Sequence, residues 1–151
     1  MARKIDVGSE DPVLKVYGLF TQVGQATLKY SDSRLKKNHR LKTATYIALQ
    51  GLISSEGVMT HTKLAAWTNT RKHNITGLVE RMEKAGLVKT ERSTEDKRVV
   101  PIEITEKGRR AFEAADSAYQ DIAKKVMHTF TSNQVTMLEG LLKVMKSNLE
   151  G

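Results

Sequence analysis

The chain has no cysteine among its 151 residues, which excludes disulfides, thiolate metal sites and thiol-based redox sensing. Two prolines and ten glycines are too few for a collagen-like or low-complexity chain. Nowhere do 18 apolar residues run together, so no segment is expected to span a membrane. The first residues, Met1 to Asp6, lack the apolar stretch of a signal peptide. A cytoplasmic protein is the expectation. The four histidines, His39, His61, His73 and His128, show no H-x-x-x-H or H-E-x-x-H spacing. No nucleophile–base pairing or glycine-rich phosphate loop is legible. No catalytic residue, metal or cofactor is therefore expected.

Hydrophobic residues make up 39% of the chain, enough to bury a core, and the length fits a single domain over 1–151. The net charge is +8 and the pI about 9.7. A polyanionic partner accounts for such a balance; a solvated basic surface is the plain alternative. The charge is unevenly spread. Residues 1–56 carry nine Lys/Arg against five Asp/Glu (+4), and residues 57–110 carry twelve against seven (+5). Residues 111–151 carry four against five (−1). The basic character stops where the last helices begin.

Asp11-Pro12 reads as a helix start, Asp capping free N–H groups and Pro fitting the first helical position. Val13, Val16, Tyr17, Phe20, Val23, Thr27 and Tyr30 then recur at helical spacing, predicting a helix over 12–36. The basic residues Arg34, Lys36, Lys37, Arg40 and Lys42 follow. A second helix is expected over 43–53, with Thr43 as its cap, and Val58-Met59-Thr60 is a short extended piece. Thr62 is expected to open a short helix through Trp67. Thr68-Asn69-Thr70 is a turn, and a longer helix follows to Ala85, ended by Gly86. Its apolar residues Ile75, Leu78, Val79 and Met82 share one face. The period then changes: residues 87–92 and 98–104 read as the two strands of a hairpin around a polar turn. Pro101 implies an edge strand or an interruption of pairing. Thr105 caps a helix of about 25 residues, and Thr131 with Gln134 forms a capping box for the last helix.

Helix, turn, helix and hairpin in that order is a winged helix-turn-helix: mainly α, with a small β-hairpin wing. In such a motif the second helix enters the major groove, where base edges are distinguishable. Two packed bundle helices would explain the apolar face equally well, but not the hairpin with its charged tip.

The residues Thr62-Lys63-Leu64-Ala65-Ala66 and the run from Asn74 to Val88 resemble the MarR family of regulators. Asp96-Lys97-Arg98 resembles that family's wing motif, and Ile104-Thr105-Glu106-Lys107-Gly108 its hydrophobic-Thr-x-x-Gly helix start. The resemblance spans nearly the whole chain. It implies a winged helix-turn-helix lobe over 42–105 between long dimerisation helices at 12–36 and 106–151. There are departures: Asn69, Thr70 and Arg71 stand where many relatives have a glycine, an apolar residue and a serine cap. Gly77 replaces a long side chain that relatives direct toward DNA. Gly77 reads either as close approach to the groove or as a tolerated mid-helix glycine costing roughly 1 kcal/mol.

At about 100° per residue, His73, Gly77, Glu80 and Lys84 oppose the apolar face, flanked by Asn74, Thr76 and Arg81. The first two turns reach base edges, making Arg71, Lys72, His73, Asn74 and Thr76 base-reading candidates. Asn pairs with adenine, and Arg or Lys with guanine. Arg81 and Lys84 suit phosphate or solvent. On the wing, Arg98 fits a narrow, electronegative minor groove, Asp96 can hold its guanidinium, and Lys97 lies between them. An ordinary surface ion pair is the alternative for Asp96 and Arg98.

The resemblance further implies a repressor acting on palindromic operators in double-stranded DNA as a homodimer. A small aromatic effector is expected to release it. Phe20, Thr27, Tyr46 and Trp67 match the effector region, though each residue type is more often core. Val13, Val16, Phe20, Val135, Leu138, Leu141, Leu142 and Met145 are the expected dimer contacts. A non-specific DNA-architectural protein is the rival reading of the same charge.

Overall fold

The computed structural model describes residues 10–91 and 100–151. Helix α1 (Pro12–His39) begins as its sequence dictates: the Asp11 carboxylate accepts from the Val13 amide at 2.8 Å and Pro12 takes the first position. It runs three residues beyond the expected end and closes only at Arg40, whose left-handed backbone (φ 56°) returns its N–H to Lys36 O. Helix α2 (Thr43–Ser54) corrects the expected cap. Thr43 is its first residue and Lys42 holds the cap position without a side-chain hydrogen bond. The Thr43 amide instead donates to Asp32 Oδ1 of α1 at 2.7 Å, eleven residues back.

Strand β1 (Val58–Thr60) leads directly into α3 (His61–Trp67), capped by the Thr60 hydroxyl rather than opened by Thr62. Thr62 lies inside the first turn because the strand runs straight into the helix. The α3–α4 turn is tight: the Asn69 amide donates to Ala66 O, the Thr70 amide to Ala65 O, and Asn69 takes a positive φ of 50°. Helix α4 (Lys72–Lys84) ends at Gly86 (φ +75°), and the Leu87 amide donates back to Met82 O.

Among the described residues, strands β2 (Val88–Thr90) and β3 (Pro101–Ile104) lie within the two hairpin arms expected. They join β1 in an antiparallel sheet of order β1-β3-β2. Pro101 therefore does not mark an edge strand. It stands first in the central strand, opposite Thr60, while the ladder to β2 starts at Ile102 opposite Thr90. The ladder to β2 stops beside the proline, which fits the expected interruption of pairing.

Helix α5 (Glu106–Met127) follows Thr105, whose hydroxyl accepts from the Gly108 amide at 3.0 Å and donates to Gly86 O at 2.6 Å. Gly108 is required here: a Cβ would sit 2.2 Å from Leu87 O. Helix α6 (Ser132–Glu150) carries the predicted box, Thr131 Oγ1 accepting from Gln134 N and Gln134 Oε1 from Thr131 N.

The chain divides into two compact units within α5, one up to Tyr119 and one from Gln120. In the first, the core is built from Leu35, Tyr46, Leu49, Leu52, Leu64, Met82 and Ile102, all essentially inaccessible. In the second, Met127 of α5 and Val135, Leu138 and Leu142 of α6 line an apolar groove of about 400 Å³. No helix of the described residues is long and apolar enough to cross a membrane.

Candidate nucleic-acid interface

Helix α4 is fixed from beneath. Ile75, Leu78, Val79 and Met82 are buried, as their spacing requires. Each buried aliphatic side chain contributes about 1.5–3 kcal/mol, so the face that remains is held in one orientation. That face begins with Arg71, Lys72, His73, Asn74 and Thr76, all exposed. The first turn contains no acidic residue and no side chain caps it. The leading amides therefore add their partial positive charge to that of Arg71 and Lys72. An anion is the favoured occupant of such an end.

Arg81 and Lys84 are exposed further along the same helix. Glu83 is drawn away from that surface by Thr90, whose hydroxyl donates to its Oε1 at 2.8 Å. This bond also ties α4 to β2. At Gly77 a Cβ would meet only Arg81 Nη1 at 3.5 Å. The fold itself does not demand glycine there, which fits close approach by a ligand and a tolerated mid-helix glycine alike. The wing residues Asp96, Lys97 and Arg98 lie outside the described residues. The base of the hairpin is described, and there Lys89 pairs with Glu103 across β2 and β3 at 3.4 Å.

The four candidate effector residues have distinct surroundings. Tyr46 is buried, stacked between Phe112 (centroids 5.0 Å) and Tyr119 (4.3 Å), and its hydroxyl donates to Asp116 Oδ1 at 2.6 Å. Burial first, and then the Asp116 carboxylate, push its phenol far above the ordinary tyrosine range. Trp67 lies over Gly51, where a Cβ would meet the indole at 2.7 Å, and its N–H donates to Ile47 O. Thr27 returns its hydroxyl to Val23 O within α1, and Phe20 is exposed on the same helix.

Of the candidate dimer residues, Val13 (71%), Val16 (67%) and Leu141 (58%) are far more exposed than apolar side chains usually are, with Phe20, Val135 and Leu142 also exposed. Leu138 and Met145 are half-buried. Sequence reasoning overlooked two polar residues that position this lobe. Asp32 caps α2 from α1, and Arg109 packs against Gly57, whose positive φ (+93°) strains any other residue. A glycine after Glu56 was the signal for the second; nothing local announced the first.

A family model described as transcriptional regulator SarA/Rot matches residues 31–115, more than half of the chain. The HTH-type transcriptional repressor IacR of Pseudomonas putida is 27% identical over 136 residues, 90% of this chain and 76% of that protein. A MarR family regulator from Streptomyces coelicolor, solved in complex with DNA, has a TM-score of 0.84 at 20% identity over 90% of this chain and 86% of its own. The organohalide-sensing regulator RdhR, in its 2,4-dichlorophenol-bound form, gives 0.84 at 23% identity over 95% and 84%. Those two structures share the winged-helix fold predicted here. The matching proteins are regulators, not enzymes.

Proposed function

The chain belongs to the SarA/Rot family of transcriptional regulators, and we propose that it is a sequence-specific repressor that binds palindromic operators as a homodimer. One observation carries the reading: the exposed, acid-free first turns of α4, set on a buried apolar face behind a tight turn. Arg71, Lys72, His73, Asn74 and Thr76 read base edges in the major groove, where donor and acceptor patterns differ between base pairs. Gly77 lets the helix approach closely, and Arg81 meets phosphate. Asp96, Lys97 and Arg98 form the wing's minor-groove contact.

The homodimer joins helices 12–36 and 106–151 of the two copies. The exposed apolar side chains of α1 and α6 support it, because soluble monomers rarely leave such faces uncovered. Two-fold symmetry then places two recognition helices about one DNA turn apart. A small aromatic molecule releases the repressor through the region of Phe20, Thr27, Tyr46 and Trp67. The 2,4-dichlorophenol bound by RdhR supports that chemical class.

Selection of bound genomic fragments at physiological salt tests the proposal. A short palindromic consensus is the expected outcome. Retention of all fragments without enrichment would overturn it in favour of a non-specific architectural protein, which shares the salt dependence but not the preference.

A further inference from the structure

The junction between α1 and α2 carries a second group of cations that the α4 surface does not explain. Lys36 and Lys37 occupy the last turn of α1, Arg40 is its C-cap, and Lys42 holds the cap position of α2; all four are exposed. Leu35 and Leu41 are buried. These two anchors leave Lys36, Lys37 and Arg40 between them, and Lys42 just beyond, on the outside of the corner.

Local backbone preference sets this corner apart from a solvated basic surface. Among the described residues, no acidic group lies within ion-pair distance of Lys36, Lys37, Arg40 or Lys42, a property they share with most other lysines and arginines. Asp32, in the same segment, is engaged by the Thr43 amide. Two of the cations also oppose local preferences. Arg40 adopts a left-handed φ of 56°, a conformation that glycine or asparagine takes at lower cost. Lys42 sits at the positive end of α2, where the helix dipole disfavours a cation and a Ser, Thr, Asn or Asp would cap. The helix-end effect favours Lys36 and Lys37, but it accounts for neither Arg40 nor Lys42.

We infer that this corner is a phosphate-binding surface that engages the backbone of the same DNA duplex held by α4. The inference rests on the DNA-binding reading above. It adds a contact that is independent of base sequence. Both cation groups belong to the unit that ends at Tyr119, and α2 and α3 link them through packed contacts. Phosphate contacts fix position and raise affinity on every sequence alike.

The test is titration of a random-sequence duplex of about 30 base pairs over a range of salt, since non-specific binding is governed by phosphate neutralisation. The variant combines Lys36→Gln, Lys37→Gln, Lys42→Gln and Arg40→Asn, asparagine tolerating the left-handed backbone. The control removes equal charge elsewhere, with Lys15→Gln, Lys29→Gln, Lys124→Gln and Lys125→Gln, all exposed and none a proposed dimer contact, and sedimentation verifies that it keeps the wild-type assembly. Each lost phosphate contact flattens the log–log salt slope by about 0.9, so the junction variant is expected to be shallower by roughly two or more. The control should stay near wild type, and thermal melting verifies that both variants are folded. An unchanged slope in a folded junction variant, or equal flattening in the control, overturns the inference while leaving the α4 reading intact. Weakened binding confined to a single-stranded RNA of the same length overturns it in favour of an RNA partner. A wild type that binds no duplex at all overturns both readings together.

Discussion

Thr105 offers a sharp test of how the lobe is held together. The residue is the meeting point of three elements: its hydroxyl donates to Gly86 O at the end of α4 and accepts from Gly108 N at the start of α5. Its backbone N–H donates to Leu87 O at the entry to β2. Thr105→Val preserves shape and removes only the hydroxyl. Loss of an N-cap costs about 1 kcal/mol. Loss of the second bond costs a further 0.5–1.5 or so, because the half-buried Gly86 carbonyl is left without that partner. The expected destabilisation is about 2 kcal/mol. For a protein of this size it lowers Tm by about 4–8 °C. Urea unfolding at fixed protein concentration measures it, the concentration being held because association shifts apparent stability. Thr105→Ser keeps the hydroxyl and should lose much less. If Val and Ser variants were equally stable, or Val cost under about 0.5 kcal/mol, the hydroxyl would not be the junction argued here.

Asn74→Ala should relax preference at one position of each half-site, whereas Arg81→Ala should weaken all sequences and flatten the salt slope by about one; identical specificity profiles would refute that division of α4. Arg98→Ala should weaken binding to every operator-like duplex by about 1–3 kcal/mol without unfolding the protein, and a titration within twofold of wild type would refute the wing assignment. Leu141→Asp with Met145→Asp should yield monomers or unfolded chains, and wild type sedimenting at the monomer mass of 16.9 kDa would refute the dimer itself. The raised Tyr46 pKa makes its contribution to stability complete below about pH 10, the ordinary tyrosine value, and lost as pH rises toward the folded value. In an ultraviolet titration one of the four tyrosines should therefore ionise only with unfolding, and Tyr46→Phe should remove that step; four tyrosines titrating together in the folded protein would contradict the buried geometry.

What was legible in the sequence was periodic or local. The face of Ile75, Leu78, Val79 and Met82 follows from helical spacing, and Asp11-Pro12, Gly86 and the Thr131–Gln134 box announce their own ends. Misreadings arose where a distant element decided. Thr43 was a plausible cap until Asp32, on another helix, took its amide. Thr60 and Thr62 are both eligible caps, and only the run of β1 straight into α3 chooses between them. Pro101 suggested an edge strand or an interruption of pairing; the strand is central, and it is the ladder to β2 that stops beside the proline, at Ile102. The surroundings of Tyr46 and Trp67 were not legible either: Tyr46 stacks on Phe112 and Tyr119, far along the chain, and Trp67 rests on the bare backbone at Gly51 and donates to Ile47 O.

The strand order has a consequence for how the lobe assembles. Because β3 lies between β1 and β2, the hairpin is no autonomous module. Its inner strand must also meet a segment some forty residues earlier, closing a loop that contains the whole helix-turn-helix, and such distant pairings form late. Ile104 N donates to Gly57 O, which ties the end of β3 to the residue that leads into β1. Opening the β1 edge would also uncap α3 at Thr60, so the inner strand of the hairpin and the first helix of the helix-turn-helix are coupled through one residue.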